Sequence, residues 1–190
     1  VKGDEWEESI DRSDLLIEEI QFSPKEIVTR IMEAGVVGMG GAAFPSHVKL
    51  SIPEGKQVDH LLINGVECEP YLTSDHRLMI EKPQEIIVGI KILMKALGVE
   101  KAIIGIEANK PDAIEGFEKL LEKESHITVD PLEVQYPQGG EKQLIQALLN
   151  REVPSGGLPA DAGAIVHNVG TTYAVYQAVQ KNKPLIERVV

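Results

Sequence analysis

Apolar positions along the chain alternate between two patterns. Short apolar runs at His60 to Ile63, Lys101 to Ile106 and Gly163 to Val166 have the length and continuity of buried strands, and Ile127 to Gln135, interrupted by Asp130 and Pro131, supplies the third strand in chain order. Helical spacing fills the intervals, with apolar stripes at Ile27, Val28, Ile31 and Met32; Ile86, Ile90, Leu93 and Leu97; Ile114, Phe117, Leu120 and Leu121; Leu144, Ile145, Leu148 and Leu149; and Tyr173, Val175, Tyr176 and Val179. Ser23-Pro24-Lys25-Glu26 is a capping box with Pro in the first turn, so the first helix starts there and should stop at Gly35. The clearest helix runs from Pro83 to Leu97 with Gly98 as its terminator, and Thr171 or Thr172 is expected to cap the last one. Pro131 puts the third strand at an edge or breaks it. The alternation predicts an α/β fold, a mostly parallel sheet with helices on both faces. Loops at Asn64 to Pro70, Ile106 to Lys110, Tyr136 to Glu141 and His167 to Thr171 then fall along one edge of the sheet. Ligands bind at that edge in such folds.

Val36 to Leu50, V-V-G-M-G-G-A-A-F-P-S-H-V-K-L, breaks both patterns. Gly38, Gly40, Gly41, Ala42 and Ala43 carry nothing beyond a methyl, so the backbone can lie directly against a ligand. A short helix from Ser46 would aim N–H groups at an anion, with the charge of Lys49 nearby. Such stretches also serve tight turns and close packing. In Asn64-Gly65-Val66-Glu67-Cys68-Glu69-Pro70 the two carboxylates diverge if the chain is extended. Only a bent loop brings both to one ligand, and a solvated turn is the plainer reading.

Charge narrows the function. Nineteen basic against thirty acidic residues leave a net charge of −11 over 190 residues, which repels phosphate backbones and argues against nucleic-acid binding. Residues 1–20 alone carry −6. The chain therefore divides into an acidic segment, 1–22, expected to be solvated or to belong to a neighbouring module, and a domain at 23–190. Cys68 is the only cysteine, so no internal disulfide and no cysteine-held cluster can be assembled from this chain, and a reducing compartment fits. The five histidines show no ligand spacing, and no bound metal is expected. Cys68 reads as a small packed residue, Tyr173 and Tyr176 as packing, and His76-Arg77 as a surface ion pair. No apolar run is long enough to span a membrane and no signal peptide is visible. The first residue is Val, which suggests a fragment of a longer polypeptide.

Five segments in order, G-M-G-G-A-A-F-P-S-H-V-K, I-N-G-V-E-C-E-P-Y-L-T-S-D-H-R, Y-P-Q-G-G-E-K-Q-L-I, V-P-S-G-G-L-P and H-N-V-G-T, resemble the RnfC subunit of the Rnf electron-transport complex. The likeness extends more distantly to the flavin-carrying, NADH-oxidising subunit of respiratory complex I. It covers Pro24 to Val190 and leaves out the acidic start. It implies a Rossmann-like FMN-binding domain over which NAD(H) lies, with Gly38, Gly40, Gly41 and Ala42 as backbone contacts, Phe44 stacking on the dinucleotide and Lys49 touching the flavin. It further implies Asn64, Glu67 and Glu69 as acidic-loop ligands, Glu69 on the NADH side. Tyr136, Gly139 and Glu141 would line the opposite wall, and Asn168 with Thr171 would hold the flavin's phosphate or ribityl chain. Backbone N–H groups and Lys suit phosphate, and carboxylates suit ribose hydroxyls. The hydride chemistry would belong to the cofactors and no catalytic side chain is implied. The family's 4Fe-4S clusters would sit in a part absent from this chain. The implied partners are the other subunits of a membrane-bound complex and, indirectly, ferredoxin, at the cytoplasmic face of the membrane.

Three positions depart from the family pattern. Ala43 stands where relatives carry Gly, at a cost of about 1 kcal/mol if φ is positive there. Val66 and Gly140 replace acidic residues of the complex I protein, so fewer carboxylates face the dinucleotide. Two other readings follow: a cofactor-free scaffold that docks partner proteins of the complex, whose cradle would be blocked, and a flavoprotein reductase serving another acceptor, as in cobalamin reductases.

Overall fold

The computed structural model describes residue 5 and residues 7–186. In chain order the helices are α1 (Pro24–Glu33), α2 (Ser46–Lys49), α3 (Ser74–Glu81), α4 (Pro83–Leu97), α5 (Pro111–Leu121), α6 (Glu141–Leu149) and α7 (Val169–Gln180). The strands are β1 (His60–Gly65), β2 (Lys101–Glu107), β3 (Ile127–Leu132) and β4 (Ala164–Asn168), joined in the order β3-β2-β1-β4 with every neighbouring pair parallel. His60 is in register with Lys101 on one side and Ala164 on the other. The chain steps outward from β1 through β2 to β3, then returns across β1 to lay down β4. That reversal parts the connections at the carboxyl ends of β1 and β4 and leaves a crevice between them.

Period-two alternation sorts each strand between two cores. Leu61, Ile63, Ile104 and Ile165 face the larger one, with Ile27 and Ile31 of α1, Ile86 and Ile90 of α4, Phe117 of α5 and Val175 of α7. Leu62, Val66 and Val166 face the smaller one, closed by Leu144 and Ile145 of α6. Both faces are therefore covered, as the continuous apolar strands require.

Several local features differ from the sequence pattern. Met32 is 51% exposed and stands outside the core. The periodicity gives no sign of α3, whose one buried residue is Met79. β3 ends at Leu132, with Pro131 on the edge strand of the sheet. α7 starts at Val169, and its cap is Asn168 rather than Thr171 or Thr172, because the Asn168 side chain accepts from the Gly170 and Thr171 N–H groups.

Residues 11–22 of the acidic segment lie on the domain. Lys181, its side chain 7% exposed, donates from Nζ to Asp11 Oδ2 at 2.8 Å, Ser13 Oγ at 3.2 Å and the Leu15 carbonyl at 2.5 Å. Gln180 donates to the Ile17 and Glu19 carbonyls, while Leu16, Ile20 and Phe22 pack on the larger core. These three apolar residues, dispersed among carboxylates, anchor a segment that charge alone predicts to be solvated.

α4 and α7 approach so closely that a Cβ on Gly89 would collide with the Thr172 carbonyl, whereas one on Gly116 in α5 would meet nothing within 4 Å. Gly89→Ala should lower stability by about 1–3 kcal/mol through overpacking. Gly116→Ala should raise it by about 0.5–1 kcal/mol through helix propensity. Urea unfolding of the two variants beside the parent checks both signs.

Candidate functional site

A cleft of about 550 Å³ opens at the crevice between β1 and β4, a size within the range of roughly 300–1,000 Å³ typical of small-ligand sites. The glycine loop forms one side, Asn64, His167 and Asn168 at the strand ends line the base, and Gly139 to Glu141 and Leu158 to Ala160 complete the wall.

The glycine loop is a small hairpin. Val37 bridges Pro45 in antiparallel sense, Gly38 N–H donates to the Phe44 carbonyl at 2.8 Å, and Ser46 N–H donates to the Val36 carbonyl at 3.0 Å. Its tip turns back onto α7, where Met39 N–H donates to Thr171 Oγ1 at 2.8 Å. Gly40 lies directly on Asn168: a Cβ there would stand 3.1 Å from the Asn168 Cβ. Ala43 has φ +53°, the left-handed conformation in which its methyl costs energy that Gly would not.

Lys49 projects from α2 to donate to Glu141 Oε1 at 2.7 Å and to the Val166 carbonyl at 3.1 Å. An ammonium has three donors, so one remains for a ligand. Across the base, Asn64 donates to the Gly139 carbonyl at 2.8 Å and accepts from Val66 N–H at 3.2 Å, tying β1 to the opposite wall. Below it, buried Lys110 pairs with buried Glu107 at 2.8 Å and donates to the Val66 carbonyl at 2.9 Å, which fixes the start of the acidic loop.

Glu67, with φ +48°, bends its carboxylate to accept from Asp75 N–H at 2.7 Å and His76 N–H at 3.0 Å, thereby capping α3. Asp75 in turn accepts from Asn168 Nδ2 at 2.6 Å, and Asn168 caps α7. Each of these polar groups is engaged within the protein.

Two polar side chains at the cleft are not. Ser46 Oγ and His167 Nε2 are buried without a hydrogen-bond partner, in residues only 1% and 3% exposed. Burial, then the positive charge of Lys49, pushes the His167 pKa down to about 3, so the ring is neutral in the folded protein.

The structure thus brings eleven of the residues expected at the site to one cleft: Gly38, Gly40, Gly41, Ala42, Phe44, Lys49, Asn64, Gly139, Glu141, Asn168 and Thr171. Glu67, Glu69 and Tyr136 do not line it. Glu67 is turned onto α3, Glu69 is exposed on the loop beyond it, and Tyr136 is 68% exposed. Ser46 and His167 line the cleft although no spacing in the sequence marks them. His167 is one of five histidines whose spacing suits no metal, and Ser46 reads in sequence as nothing more than a helix start. Arg77 forms a surface ion pair with Glu81, and His76 Nε2 lies 2.8 Å from Asp112 Oδ1. Cys68 Sγ accepts from Gly139 N–H at 3.4 Å.

A family model described as the Nuo51 FMN-binding domain matches residues 31–177. The chain belongs to this family. Among curated relatives it is 54% identical over 98% of its length to the C subunit of the proton-translocating ferredoxin:NAD(+) oxidoreductase complex of Clostridium ljungdahlii. It is 52% identical over 83% of its length to the C subunit of the Na(+)-translocating complex of Acetobacterium woodii. The chain spans 40% and 36% of those two proteins. A solved NAD+-reducing [NiFe]-hydrogenase superposes with a TM-score of 0.70 at 25% identity, over 83% of this chain and 30% of the other. Within the Nuo51 FMN-binding match lie the glycine loop, Lys49, the Gly139 to Glu141 wall and the β4 end, which together border the cleft.

The neutral, buried His167 makes stability depend on pH. Its folded pKa, about 3, lies below the 6.5 of a free imidazole, so below pH 6.5 the unfolded chain takes up a proton that the folded one refuses. Stability from this group is complete above 6.5 and should fall by about 1.4 kcal/mol per pH unit toward pH 3. Asp59, held below the usual carboxylate range by its hydrogen bond to Arg151, adds a further loss only below about 4. Urea midpoints of the parent should therefore decline from about pH 6.5, and those of His167→Leu should stay flat to about pH 4. Ala43→Gly, at a positive φ, should stabilise by about 0.5–1 kcal/mol in the same assay.

Proposed function

We propose that this chain is the flavin- and NAD(H)-binding module of an RnfC-type protein, within an ion-translocating ferredoxin:NAD+ oxidoreductase complex. The observation that supports it most is one cleft at the sheet's switch point that combines a side-chain-free loop, a Lys with a donor to spare and two unpartnered buried polar atoms. These residues fit FMN. A planar ring needs a wall free of side chains, which Gly38, Gly40 and Gly41 provide. A phosphate or ribityl chain needs fixed donors, and Lys49 with the loop's N–H groups supplies them.

Bound flavin would supply hydride exchange with nicotinamide and single-electron transfer onward. The chain's own part is to hold and shield. Gly40 packed on Asn168 keeps the loop open, and Glu141 orients Lys49 and tempers its charge. Phe44, 48% exposed at the cleft, offers a face on which a nicotinamide or adenine can stack. Glu69 and Tyr136, exposed outside the cleft, are proposed as outer contacts for the dinucleotide. Electrons would pass to iron–sulfur clusters carried outside this chain, and other subunits of the complex would be its partners. Among the described residues no helix is long and apolar enough to cross a membrane. A peripheral place at the cytoplasmic face is proposed as part of the same reading. A cofactor-free scaffold would leave the cradle blocked, and a cleft of about 550 Å³ argues the other way.

Titration of FMN with the purified chain should quench flavin fluorescence to saturation. Lys49→Met and Gly40→Val, the second filling the contact with Asn168, should each weaken binding by about tenfold or more. Absence of quenching by the parent chain would overturn the flavin reading.

A further inference from the structure

We propose that Ser46 and His167 are direct hydrogen-bonding contacts for the uncharged part of the flavin, its ring edge or ribityl hydroxyls, on the base of the cleft. This rests on the flavin reading of the site.

Among the described residues, the buried side-chain polar atoms without a partner are Ser46 Oγ and His167 Nε2, and both residues line the same cleft. Leaving a buried polar atom unpaired costs on the order of 1–3 kcal/mol. Loose packing does not account for it, because other buried polar groups are satisfied. Lys110 Nζ makes three hydrogen bonds, Lys181 Nζ has four acceptors within hydrogen-bond distance for its three N–H groups, Thr171 Oγ1 accepts from Met39 and Thr172 Oγ1 donates to the Asn168 carbonyl. The deficit is confined to two residues that line the cleft, and a turn of either side chain toward a bound ligand would remove it.

The chemistry of the pair selects the part of the ligand. Ser46 offers a hydroxyl that both donates and accepts, and a neutral imidazole offers one nitrogen that does either according to its tautomer. Burial and the nearby Lys49 charge keep the ring uncharged. An uncharged pair suits carbonyl, imino and hydroxyl groups, and leaves the phosphate to Lys49 and the loop N–H groups.

The test compares Ser46→Ala and His167→Leu with the parent, by FMN and riboflavin titration and by thermal unfolding at about pH 7.5 without flavin, where the imidazole is neutral in both states. Each variant should bind FMN and riboflavin about three- to tenfold more weakly, by the same factor for both ligands. Each should melt at or above the parent's temperature without flavin, since the unpaired atom has been removed. Unchanged flavin affinity in both variants overturns the proposal while leaving the flavin reading intact. A loss for FMN but not for riboflavin assigns the pair to the phosphate and overturns it too, as does a lower melting temperature of flavin-free Ser46→Ala. If the parent binds neither flavin, the flavin reading itself fails.

Discussion

A relay of short side-chain hydrogen bonds joins the loops that border the cleft. Glu67 caps α3, Asp75 of α3 holds Asn168, Asn168 caps α7, and Thr171 of α7 holds Met39 at the tip of the glycine loop. Helix termini leave N–H groups unsatisfied, and here those orphan donors are met by side chains arriving from the neighbouring loop. The loop beyond β1, the end of β4 and the glycine loop are thus held in one arrangement, although the segments lie far apart in sequence. Removing a partner at either cap would leave a helix end unmet and the loops free to part.

This relay also explains why residues that look like ligands are occupied elsewhere. Glu67, Asn168 and Thr171 all have the chemistry to touch a cofactor, yet their polar atoms are committed to groups of the protein. Asn168 also gives the glycine loop its footing, since a Cβ on Gly40 would stand 3.1 Å from the Asn168 Cβ. Conversely, Ser46 Oγ and His167 Nε2 are buried without a partner in two residues that line the cleft. The interior satisfies Lys110, Thr172 and Lys181 and leaves these two atoms unmet.

The acidic segment adds a second long-range tie. Lys181 at the end of α7 gathers residues 11–15, four of whose oxygens lie within hydrogen-bond distance of its Nζ, and Tyr176 accepts from Ile17 N–H at 3.2 Å. The same helix therefore holds the glycine loop at its start and the acidic segment at its end. Its Thr172 carbonyl lies against Gly89 of α4, so its position is fixed along its length, and a helix so fixed makes a steady mount for the cleft.

Local pattern alone determined a great deal of this protein. Continuous apolar runs of strand length pointed to strands covered on both faces, and the Ser23 to Glu26 box, Gly35 and Gly98 set helix ends through short-range chemistry that needs no distant partner. The run of small residues from Gly38 to Ala43 likewise declared a backbone free to meet a ligand. Helix α3 is not legible in the pattern because a helix with one buried residue has no stripe to read, and its cap comes from Glu67, well before Ser74. The order β3-β2-β1-β4, and with it the placing of the cleft between β1 and β4, was decided by the tertiary structure, since any arrangement of parallel neighbours satisfies the same apolar runs. So too was the parting of Glu67 from His167, one drawn away from the cleft and the other left unpaired at it. The reason is physical: a side chain's type fixes what bonds it can make, but which of them remain unmade depends on every group that folding brings within reach.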